Sequence, residues 1–252
     1  WSRGLGDVYK RQVYLFVKIL PVFILGTQST LVTNVYINFV ITLLAMVLFA
    51  LFLFQVLFKI GHFSVYFILL VGVVLGTFFR SITGFIQLVM DPESFLAVQS
   101  TMFANFDASN SKLVGFSAIV LAVLIVITII SLPYLDVLLL GREQAINLGV
   151  NYEKVTRLFL IVVAILVSVS TALVGPITFL GLLTVNLAHE FIKTYEHKYI
   201  LPATLCFSWI SLFIAQWVVE HLFEATTEVS IIIDLIGGSY FIYLLVRGRN
   251  AN

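Results

Sequence analysis

Residues 19–58 contain no Asp, Glu, Lys, Arg or His, and neither do residues 158–188. An α-helix rises about 1.5 Å per residue and a bilayer core is about 30 Å thick, so each run is long enough to cross lipid at least once. A soluble core has no room for such uninterrupted apolar stretches. Composition agrees: 61% of the 252 residues are hydrophobic and 11% are charged, against roughly a quarter charged in soluble domains. The expected fold class is all-α, a polytopic transmembrane helix bundle. The net charge of +1 says nothing of nucleic acid, and no basic run interleaved with aromatics forms a groove for it. The single cysteine, Cys206, excludes an internal disulfide and any cysteine-based metal cluster, and its apolar setting predicts a buried, inert thiol.

Apolar windows of about 20 residues predict eight spans, near 13–26, 35–58, 63–90, 113–135, 156–174, 177–192, 199–219 and 229–246. Gly175-Pro176 divides one long apolar run into two helices, because proline suits a helix's first turn and disrupts its interior. Residues 1–12, WSRGLGDVYKRQ, have no initiator Met and lack the apolar core of a signal peptide. They are expected to be a non-native leader or sequencing scar, with the native amino terminus missing and residues 13–252 forming one transmembrane domain.

Cytoplasmic loops are enriched in Lys and Arg. With the spans above, one side collects Lys59, Arg142, Lys154, Arg157, Lys193, Lys198, Arg247 and Arg249, and the other holds only Lys112. That predicts a cytoplasmic carboxyl terminus. The opposite face carries Asp91, Glu93, Asp107, Glu220, Glu224 and Glu228.

Between two of the spans stands LLLGREQAINLGVNYEK, residues 138–154, inside the longest cytoplasmic connection, 136–155. Its register predicts a short helix with Ala145 and Leu148 on one face, closed by Gly149 in the left-handed conformation and followed by Asn151 opening the next helix. A short helix across the cytoplasmic face is suited to docking a partner. An ordinary solvated loop is the plain alternative.

Together with VGPITFLGLL at 174–183 and DLIGGSYFIYLLVRGR at 234–249, this stretch resembles the FecCD-type permeases, membrane subunits of type II ABC importers for ferric siderophores, haem or cobalamin. The resemblance extends from Val13 onward and is most specific from Leu140. It implies a permease of roughly ten helices in the bacterial cytoplasmic membrane. Leu140, Gly141, Arg142, Glu143, Gln144, Ala145, Leu148 and Gly149 would then form the coupling segment that sits in a cleft of a separate ATPase. It also implies a second permease copy or sister permease, an extracytoplasmic siderophore-binding protein, and ATP and Mg held on the ATPase rather than here. Val185-Asn186, the EVS at 228–230 and MDPESFLAVQSTMFANFD at 90–107 resemble the subgroup that serves catecholate or petrobactin-like siderophores.

A charge inside a span is costly and is a functional candidate by default. Lys18 is expected to snorkel to the cytoplasmic end of the first span. Arg80 falls in the outer half of the third, and Asp234 a little over one turn into the last. In the family these two helices line the pathway between paired permeases, so the resemblance implies that Arg80 and Asp234 face it, with Gly237 and Gly238 loosening the gate. The alternatives are a structural ion pair, or Asp234 capping a helix end. Gly72 and Gly76 form a G-x-x-x-G pair suited to close helix packing.

His62, His189, His197 and His221 lack metal-site spacing and read as solvated or interfacial, and there is no Walker loop to cradle nucleotide phosphates. No catalytic or metal-ligating residue is expected. An ion-coupled secondary transporter would need several intramembrane acids near broken helices. An intramembrane enzyme would need titratable groups clustered at one depth. The sequence offers Asp234 and one break for the former, and no cluster for the latter.

Overall fold

The computed structural model describes residues 2–26, 29, 33–60, 65–99, 102–104, 106, 110–223 and 227–249, with side chains at all of these except 2–10, 56–60, 65–69, 97, 244, 245 and 247–249. His62, Asp107 and Glu224 fall outside the described residues, as do the side chains of Lys59, Arg247 and Arg249. The helices are α1 (Ser2–Leu25), α2 (Val35–Ile60), α3 (Val65–Val89), α4 (Pro92–Gln99), α5 (Ser111–Ile130), α6 (Leu132–Leu139), α7 (Arg142–Asn147), α8 (Tyr152–Val174), α9 (Leu180–Ile192), α10 (His197–Leu222) and α11 (Val229–Arg249). Among the described residues α2, α3, α5, α8 and α10 are long and apolar enough to cross a membrane, while α9 and residues 229–243 of α11 are shorter apolar helices.

The eight expected spans fall on α1, α2, α3, α5, α8, α9, α10 and α11, with three changes of boundary. α1 begins at Ser2 and runs through Val13 without a break. The apolar run 113–135 divides at Ser131, whose N–H closes α5 on Ile127 O at 3.1 Å, and Pro133 sits in the first turn of α6, where its missing N–H costs nothing. α9 starts at Leu180, because Gly175 adopts φ +109° and residues 175–179 leave the helical path.

Two clusters organise the bundle. Tyr14, Leu15, Ile19, Val22, Met46, Ile86 and Val98 join α1, α2, α3 and α4. Phe16 of α1 meets Phe79 of α3 with ring centroids 5.3 Å apart, and α3 carries the buried Gly72 and Gly76. Ala215, Val219, Val229, Ile232 and Ile233 join α10 to α11, with Ile177 and Leu180 packed against them. α8 packs against α2 and α5. The chain's turns fall at two ends, one marked by α4 and the other by α7.

At the α4 end, Asp91 caps α4 by accepting the Ser94 N–H at 2.8 Å, and that bond holds its carboxyl below the usual carboxylate value. Further in, Gly175 is buried, and a Cβ there would come within 2.9 Å of Phe103 O and 3.0 Å of Ala104 Cα. Ala104 N–H donates in turn to Ser230 Oγ at 3.3 Å. Three separate chain segments therefore close around one irregular stretch, and non-helical backbone at membrane depth is tolerated where protein buries it.

Two sequence expectations are corrected by this packing. Cys206 is exposed, not buried. It lies on α10, whose apolar residues include Leu205, Trp209 and Phe213, all exposed, and in lipid an apolar surface has no need of a protein partner. Lys18 does not reach towards the start of its helix. Its Nζ donates to Asn38 Oδ1 in the first turn of α2 and lies 5.6 Å from the centroid of the Tyr14 ring, which puts it near the α4 end.

Candidate functional site

The segment between α5 and α8 is built from short helices separated by glycine. Gly141, at φ +95°, ends α6 and opens α7, and its carbonyl accepts the Ala145 N–H at 3.1 Å. At the far end Gly149 takes φ +81°; its N–H donates to Ile146 O at 2.9 Å and the next N–H, of Val150, to Ala145 O at 3.0 Å. That bond pair is the Schellman closure, which a glycine makes without steric cost. Asn151 then caps α8, accepting the Lys154 N–H at 3.1 Å.

Ala145 is completely buried and anchors α7 to the bundle, whereas Leu148 is 61% exposed, so the two do not share an environment as their spacing predicted. The reason is that α7 ends at Asn147 and the chain turns at Leu148 before a second helical turn can align them. Leu148 instead joins the exposed Leu139, Leu140 and Ile146, beside exposed Arg142, Glu143 and Gln144. Arg142 reaches Glu153 of α8 at 3.3 Å, with both side chains largely in solvent. An exposed pair of that kind contributes about 0–1 kcal/mol, so it orients the surface more than it holds the fold.

At the same end of the bundle is a pair that the sequence reading missed. Asp136 of α6 accepts the His197 backbone N–H at 3.1 Å, and its Oδ1 lies 2.6 Å from the ring Nδ1. Partial burial alone would raise the Asp136 carboxyl; the two hydrogen bonds from His197 and the attraction of its ring charge outweigh this and lower it below the usual value. His197 is thus held rather than freely solvated. The available signal was one acid inside the apolar LPYLDVLLL at 132–140, together with a histidine at the first position of a helix.

Arg80 and Asp234 are not brought together. Arg80 is exposed on α3 and makes no hydrogen bond or ion pair among the described residues. Asp234 lies 3.5 Å from Arg11 and accepts the Phe179 N–H at 3.3 Å, capping the start of α9 from α11. One turn on, Gly237 is buried against the same residue, and a Cβ there would stand 2.6 Å from Phe179 Cβ. Gly238 has open space around it. Asp234 and Gly237 therefore straddle the broken segment, and Gly237 is a contact glycine at this crossing.

This architecture matches a solved metal-chelate-type ABC transporter in an inward-facing conformation, with a TM-score of 0.81 over 97% of this chain and 76% of that one, at 22% identity. The class that the fold defines is a polytopic transmembrane helix bundle built like that transporter's. The chain belongs to the FecCD transport family, whose profile matches residues 12–247. It is 46% identical over 235 residues to the petrobactin import system permease YclO of Bacillus subtilis, a match covering 93% of this chain and 75% of that protein. It is 30% identical over 240 residues to the petrobactin import system permease FatC of Bacillus anthracis, covering 94% and 67%.

Proposed function

We propose that this chain is the membrane subunit of an ATP-driven importer that carries a ferric siderophore of the petrobactin class across the bacterial cytoplasmic membrane. The observation that carries this reading is α7, a short helix bounded by positive-φ glycines, presenting Arg142, Glu143 and Gln144 with exposed Leu140, Ile146 and Leu148 at one end of a FecCD-family bundle. A FecCD-family subunit without a Walker loop of its own can take its energy from a partner ATPase, and a short helix exposed at the end of the bundle is a surface through which force can enter. The two relatives named for petrobactin import supply the substrate class.

In this reading the α7 end and the carboxyl terminus are cytoplasmic, and two ATPase subunits holding ATP and Mg engage Leu140–Gly149. A second permease copy or sister permease completes the pathway, and an extracytoplasmic binding protein delivers the chelate at the α4 end. Arg80, exposed about 22 Å along α3 from Val65, lines the pathway and attracts the anionic chelate. Asp234, Gly237 and Gly238 stand where α11 meets the broken segment and set how far the gate can bend. Closure of the ATPases displaces α7 and alternates access between the two faces. An ion-coupled carrier has less to stand on, since Asp234 is engaged at the start of α9.

The test is reconstitution with a P-loop ATPase from a petrobactin-type system. Vanadate-sensitive hydrolysis appearing only with both subunits, and ferric petrobactin uptake driven by it, is the expected result. Uptake that persists without any ATPase and collapses with the proton gradient would sink the proposal. For the pathway, Arg80→Gln should lower uptake at unchanged protein level; normal uptake removes Arg80 from that role.

A further inference from the structure

The structure ties the α7 segment to its neighbours in sequence through the chain, which enters from α5 by way of α6 and leaves into α8 at Gly149 and Val150, with the buried Ala145 and the Arg142–Glu153 pair beside it. One further tie crosses 61 residues of sequence, from Asp136 on α6 to His197 at the head of α10. Among the described residues, this is the one hydrogen-bonded link between residues 131–150 and α10. α6 is suited to act as a lever. It is a single rigid piece of eight residues, set off from α5 by the break at Ser131 and from α7 by Gly141 at φ +95°. One carboxylate oxygen engages both the backbone N–H and the ring nitrogen of the same residue, at 3.1 and 2.6 Å, so the link fixes direction as well as distance. α10 then continues for 26 residues to the opposite end and packs there on α11.

We propose that Asp136 and His197 are positioning residues for energy coupling: displacement of α7 turns α6, and the Asp136–His197 link carries that motion into α10. The proposal rests on the importer reading above. It separates two routes into the bundle, with α5 and α8 moved by chain continuity and α10 by this side-chain link. Only the second can be cut by a point substitution that leaves α7 itself intact.

Cys206 provides the reporter. It is the sole cysteine in the sequence, it is exposed, and it lies on α10 beyond His197. A nitroxide placed there, in the full transporter assembled with its ATPase in proteoliposomes, is measured nucleotide-free and after trapping with ADP and vanadate. The unaltered protein should show a nucleotide-dependent spectral change. Asp136→Ala and His197→Ala should each reduce it about twofold or more while the nucleotide-free spectrum and ATPase binding are kept. The double variant should lose no more than Asp136→Ala alone, because Asp136→Ala already removes both bonds, whereas His197→Ala removes the ring bond and keeps the backbone one. Asp136→Asn, which keeps an acceptor, should retain most of the response.

An undiminished change in both alanine variants, or losses that add in the double variant, overturns the link. Should an alanine variant fail to assemble, His197→Gln keeps the backbone bond and removes the imidazole, and an undiminished response there overturns it equally. If the unaltered complex shows no nucleotide response, the importer reading and the link fall together. If it responds and the variants respond equally, only the link falls.

Discussion

Two aspartates in this bundle perform the same act in different surroundings. Asp136 accepts the leading N–H of α10 at the α7 end, and Asp234 accepts a leading N–H of α9 within the bundle. Each satisfies a donor that a helix start leaves over, from a different helix. At Asp136 the carboxylate is 40% exposed and has a second partner in the imidazole, so water could take its place at the backbone. Asp234 is 25% exposed, has its second partner in Arg11 at 3.5 Å, and accepts the Phe179 N–H within the bundle beside a broken helix, where polar backbone must be satisfied by protein. The first cap can therefore serve in transmitting motion, whereas the second satisfies the start of α9 after the break at Gly175.

The largest effect should come from removing the inner cap. Asp234→Ala leaves the Phe179 N–H without an acceptor, at a cost of about 1–3 kcal/mol, and should cut the amount of folded protein recovered in detergent. Asp234→Asn keeps an oxygen and should restore that amount. If Asp234→Ala folds as well as the unaltered protein, the contrast between the two caps collapses. Next comes the crossing one turn on. Gly237→Ala forces a Cβ to within 2.6 Å of Phe179 Cβ and should lower thermal stability by about 1–3 kcal/mol, while Gly238→Ala, with open space around it, should change it little. Equal effects at the two glycines would mean that α11 does not bear on the broken segment there.

The α7 end should respond less in stability and more in coupling. Gly149→Ala places a side chain at φ +81°, a strain of about 1–2 kcal/mol, and should lower ATPase-driven uptake; Gly149→Asn, which tolerates that conformation better, should recover part of it. The smallest effect is one of pH. A carboxyl lowered by folding contributes stability at neutral pH that is lost as the pH falls through its folded value, here below 3.8. Thermal unfolding followed from about pH 6 to about pH 3 should show this acid limb weakened in Asp136→Asn. An unchanged acid limb would indicate that the outer cap contributes nothing to the resting fold.

The bundle was legible because apolar run length is a direct measure of lipid crossing, and the end of α7 because Gly149 occupies a conformation that favours glycine. The misreadings have physical causes as well. Lys18 was assigned to the wrong end because its helix was started at 13, so its depth was counted from the wrong origin. Cys206 was expected to be buried because apolar surroundings imply burial only where the solvent is water. The partners of Asp136 and Asp234 lie 61 and 55 residues away, beyond any local pattern. The close approach of Phe179 to Gly237, made from the broken segment 175–179, likewise lies outside any local pattern.

The meeting of Ala104, Gly175 and Ser230 has a consequence for how the chain is made. Helices inserted in order from the ribosome reach the membrane with the Gly175 break and the start of α9 already present, before Ser230 and Asp234 have been synthesised. Until α11 enters, the Phe179 N–H and the Ala104 N–H lack the acceptors they have in the finished bundle. α11 is therefore the helix that closes over the broken segment. A ribosome that stalls short of residue 229 leaves in the bilayer a chain whose Phe179 and Ala104 N–H groups have yet to meet these acceptors.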